Sequence, residues 1–175
     1  ILDKDAEHAP YEDPYPTVFI LIIGETARAS NFSLNGYKRD TNPLLSKQDI
    51  INFKDTKSCG TSTAISVPCI FSNKVRKDFD VNTNKYTENI LDVLQRVGYD
   101  VIWKENDDGC KNVCNRIKSI NLQQSKSKFC KKDYCYDEVL LENLEEEIKN
   151  IKKDTLIVLH TMGSHGPTYF KRYPD

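Results

Sequence analysis

The sequence predicts an α/β fold with a mainly parallel sheet flanked by helices, and three observations predict it. The runs 17–23 and 155–159 are continuous and apolar rather than alternating, as strands of a parallel sheet covered on both faces are. Ile90, Leu91, Leu94 and Val97 recur at helical spacing. Strand-like and helix-like patterns alternate along the chain, which is the order of βαβ units. At 175 residues the chain is long enough for one domain with a real core. A net charge of −1, with both signs mixed, excludes nucleic-acid binding through bulk electrostatics. No apolar run has the length of a membrane span, and no signal peptide is present.

In chain order, residues 1–16 are polar, with Pro10, Pro14 and Pro16, and read as a linker leading in from an upstream region. The chain does not open on methionine, and its one methionine is Met162, so it is expected to be a stretch of something longer. The first strand, 17–23, is expected to be buried on both faces and to end at Gly24-Glu25-Thr26-Ala27-Arg28. Residues 31–43 form a polar loop, with Asn42-Pro43 opening a short helix. Ile50-Ile51-Asn52-Phe53 reads as a second strand.

Next comes Ser58-Cys59-Gly60-Thr61-Ser62-Thr63-Ala64-Ile65-Ser66-Val67-Pro68-Cys69, in which Ala64, Ile65, Val67 and Ile70 suit one buried helical turn. Thr87 is placed to cap the helix carrying Leu91 and Leu94, and Gly98 to stop it. A strand over 99–103 ends at Lys104-Glu105-Asn106-Asp107-Asp108. Residues 109–135 look irregular. Residues 136–153 read as the clearest helix, with Leu140, Leu144, Ile148 and Ile151 as its stripe and lysines at its end. The last strand, 155–159, leads into His160 and Gly163-Ser164-His165-Gly166-Pro167.

Six cysteines fall as Cys59/Cys69, Cys110/Cys114 and Cys130/Cys135. In an oxidising compartment these become local staples, the first worth roughly 3 kcal/mol by the loop-entropy model. The rival is a zinc site, because the second and third pairs lie fifteen residues apart at metal-ligand spacing.

Glu25, the Thr61–Thr63 helix start, the 104–108 loop and His160/His165 all follow strands. In a parallel sheet they share one edge. Glu and His suit a zinc ion, and a threonine hydroxyl can serve as its nucleophile. A hydroxyl at a helix start also meets free N–H groups and the positive end of the dipole, where an anionic phosphoryl group can rest. The plain alternatives are a helix cap for the threonines, a turn cap for Glu25 and a hydrogen-bonded core histidine for His160.

Four blocks carry a resemblance: Ile23-Gly24-Glu25-Thr26-Ala27-Arg28; Asn35-Gly36-Tyr37; Cys59-Gly60-Thr61-Ser62-Thr63-Ala64 with Val67-Pro68-Cys69; and His160-Thr161-Met162-Gly163-Ser164-His165-Gly166-Pro167. In this order they resemble the lipid A phosphoethanolamine transferases. That family includes polymyxin-resistance enzymes of lipopolysaccharide modification and belongs to the alkaline-phosphatase and sulfatase-like superfamily. The resemblance implies that Glu25 and Thr63 ligate zinc and that Thr63 is the nucleophile accepting phosphoethanolamine. It implies that His165 serves catalysis and binds a donor or acceptor phosphate or a second zinc, and that Lys111 contacts phosphate. It assigns no role to His160. It also implies the disulfides Cys59–Cys69, Cys110–Cys114 and Cys130–Cys135.

By the same resemblance, residues 17–175 are the N-terminal part of a periplasmic catalytic domain, on the periplasmic face of a Gram-negative inner membrane. Its membrane helices lie upstream of the 1–16 linker. The donor is phosphatidylethanolamine, the acceptor is lipid A or another envelope molecule, and the enzyme is a monomer that binds no nucleic acid. The family's Ser-Asp-His-Gly-Glu block, which supplies further zinc ligands, is missing, so this stretch alone is expected to bind zinc weakly and turn over nothing. Two alternatives are a zinc phosphodiesterase or sulfatase-like hydrolase using the same threonine, and a non-enzymatic four-cysteine zinc module.

Overall fold

Four strands run parallel in one sheet: β1 (Val18–Ile23), β2 (Asp100–Glu105), β3 (Lys118–Asn121) and β4 (Thr155–His160), in the order β1-β4-β2-β3. The computed structural model describes residues 1–9 and 13–173, so residues 10–12 of the expected linker lie outside it. β4 sits between β1 and β2 and is buried along its whole length.

Side chains of β4 alternate between two cores, as the two-residue period of a strand demands. Leu156 and Val158 pack with Trp103 of β2, with Val67 and Phe71 of α1 (Thr63–Phe71) and with Leu91. Ile157 and Leu159 pack on the opposite face with Val139, Leu140 and Leu144. Helical segments therefore cover both faces of the sheet centre, as the unbroken apolar run of β4 predicts.

β1 differs from expectation. It is an edge of the described sheet, and Phe19 and Ile22 are 61% and 62% exposed, so it is not buried on both faces. The expected strand at 50–53 is irregular, and Ile51 is 84% exposed. An apolar run becomes a strand only beside a partner edge, and none of the described strands lies beside this one. Conversely, β3 forms within the stretch read as irregular, because the outer edge of β2 supplies hydrogen-bond partners for Lys118–Asn121.

The helices also shift. Residues 137–141 form a 3-10 helix, and Asn143 adopts a left-handed conformation with φ 61° before α4 (Leu144–Lys149) begins. The continuous helix expected over 136–153 is thus broken, although Leu140 and Leu144 still meet the core. In α1 the buried residues are Val67, Pro68, Cys69 and Phe71, while Ile65 and Ile70 point outward. Facing Trp103, rather than spacing alone, decides that side.

After the short α2 (Val81–Asn84), α3 (Ile90–Arg96) is capped by Asn89 in a reciprocal box with Asp92, not by Thr87. Thr87 Oγ1 donates instead to the Asn84 carbonyl, and Gly98, at φ 105°, follows the C-cap Val97 and ends α3 as expected. The Asn42-Pro43 helix is a single 3-10 turn, Leu45–Lys47.

All six cysteines pair as disulfides, Cys59–Cys69, Cys110–Cys114 and Cys130–Cys135, and none is free. This removes the four-cysteine zinc module, because none of its thiols remains to bind metal.

The N-terminal stretch is tied down. The Leu2 N–H donates to Glu88 Oε2 at 2.7 Å, and the Arg96 guanidinium donates to the Leu2 carbonyl. Thr17 N–H donates to Asp154 Oδ1 at 2.7 Å, and His8 Nε2 lies 2.9 Å from Asp154 Oδ2. The Thr17 N–H, together with His8, holds the Asp154 carboxyl below its ordinary 3.8. A depressed carboxyl binds fewer protons folded than unfolded, so its stabilisation is present above 3.8 and lost as pH falls through the lowered value. Acidification through that window should therefore lower the protection factor of the Thr17 N–H, its exchange measured against the intrinsic rate at the same pH. Asp154→Asn should remove most of that pH dependence, and an unchanged profile in the variant would refute the assignment.

Candidate functional site

The parallel register aligns Ile23, His160 and Glu105 across β1, β4 and β2. The residues just beyond these strand ends therefore emerge on one edge, where α/β sheets present ligand-binding groups. The Asn106 N–H donates to the His160 carbonyl at 3.0 Å, and the Thr161 N–H donates to the Ile23 carbonyl at 3.0 Å. These bonds bind the three strand ends together.

At this edge the structure joins two residues 38 positions apart. Thr63 is the first residue of α1, and its Oγ1 donates to Glu25 Oε2 at 2.8 Å. Thr26 Oγ1 donates to the other carboxylate oxygen, Oε1, at 2.5 Å. The N-cap is Ser62, whose side chain makes no capping bond. Thr63 is thus not a helix cap: its hydroxyl points across to the carboxylate.

The approach to α1 is tight. A Cβ on Gly60 would lie 2.8 Å from Ile65 Cγ2, and the Cys59–Cys69 disulfide fastens this approach to the helix. Thr61 is exposed, and it is Thr63 that bonds to Glu25.

Burial works to raise the Glu25 carboxyl, but the bonds from Thr26 and Thr63 and the nearby His165 and His160 outweigh it. The group is held below the ordinary carboxylate value. It is an anion ready to orient a hydroxyl or to ligate a cation. Glu25 and Thr63 present two oxygen donors suited to a hard or borderline metal ion. Among the described residues no cluster of three His, Cys, Asp or Glu side chains completes a metal site. The pair fits a metal as part of a ligand set.

Behind this pair lies a buried polar cluster. His160 is 0% exposed, and its Nδ1 lies 3.0 Å from Glu105 Oε2. The same Glu105 oxygen accepts from Trp103 Nε1 at 2.8 Å, and Oε1 accepts from the Asp107 N–H at 2.6 Å. His160 is therefore the hydrogen-bonded core histidine among the plain alternatives. Its Nε2 stands 3.6 Å from Asp107 Oδ2. Burial, aided by the charges of Glu25 and Glu105, pushes the Asp107 carboxyl up against the opposing pull of the Asp108 N–H and His160.

His165 is exposed, on the turn after β4, with Nδ1 2.7 Å from the Gly166 carbonyl. Its charge reaches Glu25 without touching it. Lys111 bonds to Asp108, through the carbonyl and through Oδ2 at 3.1 Å. The structure therefore joins Glu25 to Thr63, keeps His165 nearby, and occupies Lys111 with an acid. Glu105, the last residue of β2, and Asp107 lie in the 104–108 segment that the sequence places at this edge without distinguishing either acid, and β2 runs two residues beyond the expected end at 103. Nothing in the sequence singles out Asp137, which is one of several acids between 137 and 147.

A family model described as sulfatase matches residues 17–175. The chain is 51% identical over 176 residues to a phosphoethanolamine transferase of Escherichia coli (strain K12), covering 99% of this chain and 32% of that protein. Its fold superposes with a TM-score of 0.90 on an integral membrane lipooligosaccharide phosphoethanolamine transferase of Neisseria meningitidis, at 41% identity, covering 97% of this chain and 32% of that one. It superposes with a TM-score of 0.83 on the C-terminal periplasmic domain of a phosphoethanolamine transferase of Campylobacter jejuni, at 39% identity, covering 99% of this chain and 52% of that one. The chain spans about a third of the curated relative's length (32%).

Proposed function

The chain belongs to the sulfatase family, and from that premise we propose that it is part of a phosphoethanolamine transferase acting through a covalent intermediate on Thr63. The donor is phosphatidylethanolamine, and the acceptor is lipid A or another envelope molecule. The observation that carries this reading is the 2.8 Å bond from Thr63 Oγ1 to Glu25 Oε2 at the carboxyl edge of the sheet. It sets a hydroxyl at a helix start, where the dipole favours an incoming phosphoryl group.

In the first step Thr63 Oγ bonds to the donor phosphorus as the bond to the diacylglycerol oxygen breaks. The threonine proton leaves along the hydrogen bond toward Glu25, and diacylglycerol takes up a proton. In the second step an acceptor oxygen bonds to the phosphorus as the bond to Thr63 Oγ breaks. The proton given up by the acceptor hydroxyl returns to Thr63, so phosphoethanolamine passes to the acceptor and the threonine hydroxyl is restored. Covalent storage suits two bulky lipids that need not bind together.

Glu25 and Thr63 would hold a metal ion, zinc in this reading, which when bound lowers the pKa of the hydroxyl and offsets charge on the phosphoryl oxygens. The remaining ligands belong to sequence outside these residues, consistent with relatives about three times as long (32% covered). His165 serves a donor or acceptor phosphate, and Lys111 binds phosphate by exchanging its bond to Asp108. Residues 1–16 link to a membrane region, and residues 17–175 are the first part of a periplasmic domain on the inner membrane. The names of the relatives support both placements. No helix among the described residues is long and apolar enough to cross a membrane.

The test is to incubate the full-length protein with phosphatidylethanolamine, quench, digest and map added mass. Phosphoethanolamine on Thr63 that moves to added lipid A supports the transferase. Free phosphoethanolamine released at an undiminished rate without acceptor supports the hydrolase instead. An unmodified Thr63 during measurable turnover overturns the covalent mechanism.

A further inference from the structure

We propose that Asp137 is a positioning residue that sets Glu25 by clamping the turn after β4 against the Glu25 backbone. Its carboxylate accepts three N–H bonds, all 2.8 Å: Oδ1 from the Met162 N–H and from Asn106 Nδ2, and Oδ2 from the Gly163 N–H. Three donors on two oxygens leave this carboxylate with one favoured orientation. The clamped turn in turn grips Glu25. The Ser164 N–H donates to the Glu25 carbonyl at 3.1 Å. Gly163, at φ 49°, packs so closely that a Cβ there would lie 2.8 Å from the Glu25 carbonyl oxygen and 3.0 Å from its nitrogen.

The clamp is anchored at its far end. Asn106 Nδ2 also donates to the Cys135 carbonyl at 3.2 Å, and Cys135 is held by its disulfide to Cys130. Asp137 follows two residues later. A covalent staple, an amide bracket, a carboxylate and a glycine turn thus form one chain of contacts ending on Glu25. The carboxylate that receives Thr63 Oγ1 hangs from the backbone so fixed. Glu25 also follows the edge strand β1, which has a described neighbour on one side only, so this turn is a second support for it.

This inference rests on the reading of Glu25 and Thr63 as the reacting pair, and its test separates the two. Asp137→Asn replaces an acceptor oxygen by an NH₂ that faces a backbone N–H. Gly163→Ala leaves Asp137 intact and pushes on Glu25 directly. In the full-length protein both variants should lower kcat by about 10- to 100-fold with KM little changed, the scale for groups that support metal ligands. Zinc affinity, read by competition with a chromophoric chelator, should fall in parallel. Hydrogen exchange at the Ser164 N–H should quicken in Asp137→Asn, while exchange in β4 stays slow.

Unchanged kcat, zinc affinity and exchange in both variants would overturn the clamp. So would losses that merely track the unfolded fraction. If wild type never forms the Thr63 adduct, the transfer reading fails on its own, and the exchange arm still decides whether Asp137 holds the turn.

Discussion

If Thr63 is the nucleophile, Thr63→Ala in the full-length protein is expected to abolish the proposed phosphoethanolamine adduct and to lower transfer by about 10⁴- to 10⁶-fold, the scale on which deleting a covalent nucleophile acts. The fold should survive. Thr63 lies at the first position of α1, and among the described residues its side chain makes one hydrogen bond, to Glu25. Losing that bond costs about 1 kcal/mol, and alanine is the best helix former. Thermal unfolding should therefore move by only a few degrees while activity disappears. Thr63→Ser keeps the oxygen and should keep the adduct, now on serine. Peptide mass spectrometry with circular dichroism on the same samples decides the matter. Thr63→Ala that still transfers at a tenth of the wild-type rate would rule out a covalent role.

Glu105→Ala is expected to be the most damaging change to stability, about 3–5 kcal/mol, because it strips a buried histidine of its charged partner. Glu105 accepts from Trp103 Nε1, His160 Nδ1 and the Asp107 N–H, and all three donors are buried. Among the described residues Asn106 Oδ1, Asp107 Oδ1 and His160 Nε2 already lack partners, so losing Glu105 adds three more unpaired buried donors to the cluster. For a domain of this size the midpoint of thermal unfolding should fall by roughly 10 °C. Glu105→Gln keeps the shape and an acceptor oxygen, and should lose less. A Trp103→Phe/Glu105→Ala double cycle should show coupling, since both changes remove the same bond. Additive effects would mean that the bond contributes little.

The strands centred on 17–23, 99–103 and 155–159 were legible because long apolar runs leave few alternatives. Local signals also held where the chemistry is local. The three cysteine pairs close as their spacing allowed, and Gly98 stops α3 because only a residue tolerant of positive φ fits there. Signals failed where a neighbour decides. Ile50-Ile51-Asn52-Phe53 has strand composition but no partner edge, and Lys118–Asn121 has little strand composition but finds one. Asn143 turns left-handed inside a helical pattern, and no periodicity marks that break.

What the amino-acid order determined by itself was the class of fold and a set of candidate site residues. Glu25 and the histidine pair lie at or just beyond the ends of strands that finish at one edge, whereas the hydroxyl cluster follows irregular chain and opens α1. Only the tertiary structure decided which of them meet. Sheet order and register are non-local: β4 pairs with β1, more than a hundred residues away, and with β2, more than fifty residues away. Packing of β4 between β1 and β2 therefore chose Glu25 as the partner of Thr63 and sent His160 into the core. The same packing made Asp137, one acid among many in the chain, the clamp on the turn that supports Glu25.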